Sequence, residues 1–198
     1  MNPDLEIQRL RDLLPASGRM KTLIRPARQT RIVIDAPFPK PWQWGDRRVS
    51  ISFNQWAQLS EPQRDLLLLR TTSWLMAIRW FEPDWYQGLV AVALGSALFE
   101  LIQQDAVGIV VSGGLGAIAL RQIWQTFRSP EREVAADNQA IQIAQRRGYA
   151  FNDAVNGLLT AIQTVAQLEG RTSLSYIELL RCQSLRAQRN LPTTPAPQ

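Results

Sequence analysis

Two apolar stretches, Trp85 to Ile102 and Ala106 to Leu120, are separated only by Gln103-Gln104-Asp105. The first carries a single acidic residue, Glu100, and the second carries no charge at all. Two helices joined by so short a turn must run antiparallel, so the pattern predicts an apolar hairpin at about 85–120. Each arm is somewhat short of the ~20 residues that cross a bilayer and reaches that length only with its flanks. Those flanks are rich in residues suited to a membrane interface. Trp74, Arg79, Trp80, Trp85 and Tyr86 precede the hairpin, and Arg121, Trp124, Phe127 and Arg128 follow it. Arginines at this end orient both chain termini toward the cytoplasm, with the Gln103 to Asp105 turn on the opposite side. Small residues at Ala91 and Gly95, and at Gly108, Ser112 and Gly116, recur every fourth position, which lets helices approach closely in a membrane or in a soluble core. The membrane reading, plasma or thylakoid in type, is the expectation, with a hairpin buried in protein as the alternative.

The 198 residues include no histidine and one cysteine, Cys182. A Ser/His/Asp or Cys/His nucleophile therefore cannot be assembled, nor can the paired imidazoles of an H-E-x-x-H zinc site. No metal and no cofactor are expected. The formal charge of +5 raises the question of nucleic acid, but the basic residues Arg146, Arg147, Arg181, Arg186 and Arg189 are interleaved with glutamine and apolar side chains. They match no readout motif; a phosphate-binding surface is their functional reading, solvated helix faces the plainer one, and no specific nucleic-acid partner is expected. Met1 to Arg11 has an amphipathic pattern, unlike a signal peptide.

The fold class expected is mainly α with a small β-sheet. Asn2-Pro3 opens a first helix that ends near Pro15 to Gly18. Short β-branched runs at Met20 to Ile24, Thr30 to Ile34 and Arg48 to Phe53 predict the sheet. Asn54 is placed as the cap of a short helix, and Ser60-Glu61-Pro62-Gln63 as a capping box opening a longer one that stops before Pro83. Pro130 starts another helix, ended by Gly148. Asn152 to Glu169 forms the next, ended by Gly170, and Ser173 starts the last. One domain is expected over 1–190, with a loose proline-rich tail at 191–198.

Ser129, Glu133, Ala136 and Asp137, followed by Ala140, Ile141, Ala144 and Gly148-Tyr149, form a series similar to the S-R-x-x-E-x-x-A-D motif of membrane zinc metallopeptidases of the HtpX and CAAX prenyl protease type, with Pro130 at the arginine position. Over about Asp35 to Leu185 the order of elements also resembles that family, which implies a zincin-like helical core interrupted by the hairpin. The motif that holds zinc in the family falls on Arg70 to Trp74. There Arg70 and Trp74 stand in place of the two histidines and Thr71 in place of the catalytic glutamate. The resemblance thus implies a pseudoenzyme with a remnant pocket of Arg70, Thr71, Trp74, Glu133 and Asp137. The whole chain also resembles a cyanobacterial family of unknown function, through Ile34 to Pro39, Pro62 to Arg70 and Ala144 to Tyr149.

In the resembled enzymes the counterpart of Glu133 binds metal and that of Asp137 supports a ligand. Without the metal, two carboxylates one helical turn apart need another cation, since an unpaired buried charge costs about 3–5 kcal/mol. Arg70 is expected to supply it, by pairing with Glu133, Asp137 or both. The plainer reading leaves both acids on a solvated helix face. A catalytically inactive membrane protein that binds, scaffolds or assists the assembly and quality control of another membrane protein is the leading expectation. An extended polypeptide segment laid against the sheet edge is the expected mode, with Trp42, Trp44 and Trp56 as candidate contact or packing residues. A non-zinc enzyme using Glu133 and Asp137 and a soluble basic nucleic-acid binder are the alternatives.

Overall fold

The computed structural model describes residues 1–27, 31–39, 46–78 and 129–190, together with Gly88, Val92, Gly95, Ser96, Gly114, Ala117, Ile118 and Arg121. The chain divides into two compact units, Met1–Ile78 with Pro130–Gln198, and Arg79–Ser129.

In the first unit, α1 (Pro3–Leu13) opens as its sequence dictates: Asn2 accepts the Asp4 N–H at 3.0 Å and proline fills the first turn. A short α2 (Ala16–Lys21) follows, where the pattern predicts the end of the first helix near Pro15 to Gly18 and a strand from Met20. Pro15 disfavours helical backbone at Leu14, which is extended and closes α1, and Pro15 itself is the N-cap of the new helix. The strands are β1 (Thr22–Pro26), β2 (Ile34–Asp35) and β3 (Arg47–Ile51), each shifted by one to several residues from its predicted span. They form a sheet in the order β1-β3-β2, with β1 parallel and β2 antiparallel to β3.

After the short α3 (Phe53–Trp56), whose cap position is Ser52 and not Asn54, comes α4 (Glu61–Ala77). Gln63 reaches back to accept the Ser60 N–H at 2.9 Å, fixing the start of α4. This helix is central. Leu66 to Leu69 and Leu75 are buried, and so are Thr71, Thr72 and Ser73. Burying the two threonines is tolerable because their hydroxyls donate within the helix, Thr71 to Leu67 O at 2.7 Å and Thr72 to Leu68 O at 2.9 Å.

Against α4 pack α5 (Pro130–Arg146) and α6 (Phe151–Leu168), and α7 (Tyr176–Asn190) packs on α5 and α6. Gly148 (φ 97°) and Gly170 (φ 74°) end α5 and α6 as predicted. Each allows the next N–H to reach back five residues, Tyr149 to Ala144 O and Arg171 to Ala166 O. The last helix starts at Tyr176 and not at Ser173, because Ser175 and Glu178 make the reciprocal cap. Its Ser-x-x-Glu spacing was present in the sequence. Leu10, Leu14, Ile24, Val49, Ile51, Ile141, Leu158 and Leu185 close the core on the sheet and the surrounding helices.

In the second unit, eight of the nine described residues are helical, Ser129 being the exception, and all but Ser96 and Ser129 are exposed. Most of the predicted hairpin, including its Gln103 to Asp105 turn, lies outside the described residues. Among the described residues no helix is long and apolar enough to cross a membrane. The 191–198 tail also lies outside them.

Candidate functional site

The helix face of α4 that carries Arg70, Thr71 and Trp74 opens onto a cleft of about 350 Å³. Its apolar wall comes from Ile34, Leu67, Trp74, Ile162 and Val165, and its polar rim from Glu133 and the α6–α7 corner. That corner contributes Glu169, Arg171, Glu178 and Arg181. The phenyl ring of Phe38 meets the Trp74 ring edge-on, with centroids 6.0 Å apart.

Arg70 forms an ion pair with Glu133, and its Nε lies 3.6 Å from Asp137 Oδ1. The two acids share a helix face four residues apart, which places both beside one guanidinium. Asp137, 1% exposed, has a closer partner in Arg181: Nε and Nη2 donate to its two oxygens at 2.7 and 2.8 Å. This bidentate pair ties α5 to α7, and the Arg70–Glu133 pair ties α4 to α5. Arg181 is therefore buried inside the protein and is not part of a phosphate-binding surface. Arg147 is likewise engaged, donating to Leu14 O at 3.0 Å.

The rim has its own clamp. Arg171 donates to both oxygens of Glu178 at 2.6 and 2.8 Å and to Glu169 at 3.0 Å, while Glu169 also accepts the Val33 N–H at 3.2 Å. Glu169 thereby ties the residue before β2 to the end of α6. Burial opposes ionisation of Glu178, but Arg171 and the Ser175 donors prevail and draw its pKa down to about 2. Arg70 moves oppositely to an ordinary ion-paired arginine. Burial first, then the adjacent Arg181 guanidinium, lower its pKa to about 9 against the pull of Asp137 and Glu178. Its Nε–H has no hydrogen-bond acceptor, and neither does Trp74 Nε1–H.

Arg70, Thr71, Trp74 and Glu133 thus line one cleft, with Asp137 packed behind Arg70. Arg121 is helical and exposed. Arg79, Trp80, Trp85, Tyr86, Trp124 and Arg128 lie outside the described residues, as do Trp42 and Trp44. Trp56 is a core residue, fully buried, with Nε1 donating to Glu6 at 3.3 Å. Sequence reasoning missed the role of Arg181 and the whole Glu169–Arg171–Glu178 clamp. Nothing local marks Arg181 as the partner of a residue 44 positions away.

The sequence matches the family described as "Protein of unknown function (DUF3318)" across residues 8–149, a span that includes α4, the sheet and all of α5. The chain belongs to the DUF3318 family. It is also similar to "Thylakoid membrane protein slr1949" of Synechocystis sp. (strain ATCC 27184 / PCC 6803 / Kazusa), with 26% identity over 187 residues, covering 91% of this chain and 86% of that protein. No solved structure matches. The resemblance to a cyanobacterial family of unknown function agrees with these findings, whereas the metallopeptidase resemblance gains no support from them. Arg171, Glu178 and Arg181 lie beyond the span of the family match, so the α7 side of the cleft is contributed by sequence outside it.

Proposed function

We propose that this DUF3318 protein is a membrane-attached, non-catalytic binding protein whose cleft holds a polypeptide segment of another membrane protein. The observation that carries this reading is the Arg70–Glu133 ion pair beside the Arg181–Asp137 pair. A carboxylate pair performs acid–base work when its surroundings push the two proton affinities apart. Here each acid is taken up in an ion pair, Glu133 with Arg70 and Asp137 with Arg181. Such a cluster fixes the shape of a cleft better than it moves protons.

Attachment to a membrane is supported by the thylakoid membrane relative and by the two apolar stretches at 85–102 and 106–120. Scaffolding, assembly or quality control of a membrane partner fits a rigid cleft beside a short sheet edge. In the β2–β3 ladder the Ser52 N–H donates to Val33 O, so by alternation the backbone groups of Ile34 turn away from β3, along the cleft side of the sheet. An added strand would meet those groups.

The test combines fractionation with capture. Membranes from cells expressing the chain are washed in high salt and then in detergent, and the solubilised protein is captured with its partners and identified by mass spectrometry. Release only by detergent, with a membrane polypeptide that is lost in Arg70→Ala, is the expected result. Release by salt alone would overturn membrane attachment through the apolar stretches. Turnover of casein that persists with chelator and disappears in Glu133→Gln would overturn the non-catalytic reading.

A further inference from the structure

The three cations at the cleft are not equally satisfied. Arg171 is saturated by Glu169 and both oxygens of Glu178, and Arg181 is matched to Asp137 by two parallel hydrogen bonds. Arg70 has one paired carboxylate, Glu133, and a second 3.6 Å away that already belongs to Arg181. Its Nε–H, turned toward Asp137 at 3.6 Å, is too far for a hydrogen bond, and the Trp74 indole N–H on the same helix face is buried without an acceptor. Buried donors left unmet are costly, and they mark a place where an incoming acceptor is favoured.

Glu133 is the exchangeable member of the cluster. Its side chain is 15% exposed, against 2% for Asp137, and it stands in the first turn of α5, where the helix N-terminus and water favour a negative charge even without Arg70. Asp137 has no such freedom, because α7 holds it through Arg181.

We infer that the cleft takes the free C-terminal carboxylate of a polypeptide, which replaces Glu133 on Arg70 while Arg181 keeps Asp137 in place. This rests on the reading of the cleft as a polypeptide site and names the part of the polypeptide it receives. A carboxylate presents two oxygens to the planar guanidinium fork, which suits Arg70 better than a single-point contact. The last side chains of the ligand meet Leu67, Trp74, Ile162 and Val165, and its backbone runs beside Ile34. The volume, near the lower end of the ~300–1,000 Å³ usual for ligand pockets, suits a chain end better than a folded surface.

The full chain in detergent is titrated with acetylated tripeptides ending in valine, leucine or phenylalanine, each with a free C-terminus and as its amide, and binding is followed calorimetrically. The free acids are expected to bind at least about tenfold tighter than the amides, the worth of a charge-assisted bond. Arg70→Gln removes that preference. Glu133→Gln, which deletes the internal competitor and leaves Arg70 in place, tightens the acids severalfold, a gain that misfolding cannot imitate. Equal affinity for acid and amide, or weaker acid binding in Glu133→Gln, overturns the carboxylate assignment while leaving a polypeptide cleft standing. Failure of both forms to bind removes the cleft reading and this inference together.

Discussion

Arg70 and Glu133 are each mostly buried, and each is the other's nearest opposite charge, so their contributions to stability cannot be independent. A double-mutant cycle with Arg70→Ala and Glu133→Ala, read by urea unfolding, should give a coupling of at least about 0.5 kcal/mol. Additive losses would separate the pair energetically. Asp137→Asn should be worse than either, costing about 3–5 kcal/mol, because it strands the buried Arg181 guanidinium. Acid acts at this scale too. The pKa of Glu178 is about 2 in the folded chain, below its ordinary 4.5, and that of Glu6 is also lowered: burial opposes its ionisation, but Arg9, Arg64 and Trp56 prevail. The folded state therefore binds fewer protons than the unfolded one between those values, and the stability these acids supply is present above about pH 4.5 and lost as the pH falls toward 2. The urea midpoint should drop between pH 6 and pH 3, with a shallower drop in Glu178→Gln. An unchanged slope in that variant would contradict the Arg171–Glu178 clamp.

Among the elements, α4 and α6 approach where Gly157 faces Leu66: a methyl group added at 157 would stand 2.6 Å from Leu66 Cδ1. Alanine gains about 1 kcal/mol of helix propensity over glycine, but overpacking against a fully buried leucine costs about 1–3 kcal/mol. Gly157→Ala should therefore lower stability on its own. In a Leu66→Ala background, itself about 2–5 kcal/mol less stable, the same change should become neutral or stabilising, as urea midpoints will report. The same scale explains what could be read from the chain. Helix stops at Gly148 and Gly170, the Asn2 cap and the Ser60–Gln63 start are local chemistry, written within a few residues. The spacing of Glu133 and Asp137 gave half of the site, and an arginine at position 70 suggested its partner. The rest depended on long-range placement. Arg181 has no local feature that separates it from Arg186 or Arg189, and only the packing of α7 on α5 brings it to Asp137. The Ser175–Glu178 cap was legible, but Ser173 offered a competing start two residues earlier.

For the whole molecule, the cleft side of the first unit is the surface on which a partner should lie. Ile177 stands on that side and is 36% exposed, while Met20 on α2 is 80% exposed and lines no part of the cleft. The measurement that tests the account most directly is photocrosslinking in intact membranes, with p-benzoylphenylalanine in place of Ile177 or of Met20. A discrete polypeptide adduct is expected from position 177, weakened when Arg70→Gln is added, and none from position 20. No adduct at 177, or the same adduct from both positions, would contradict it.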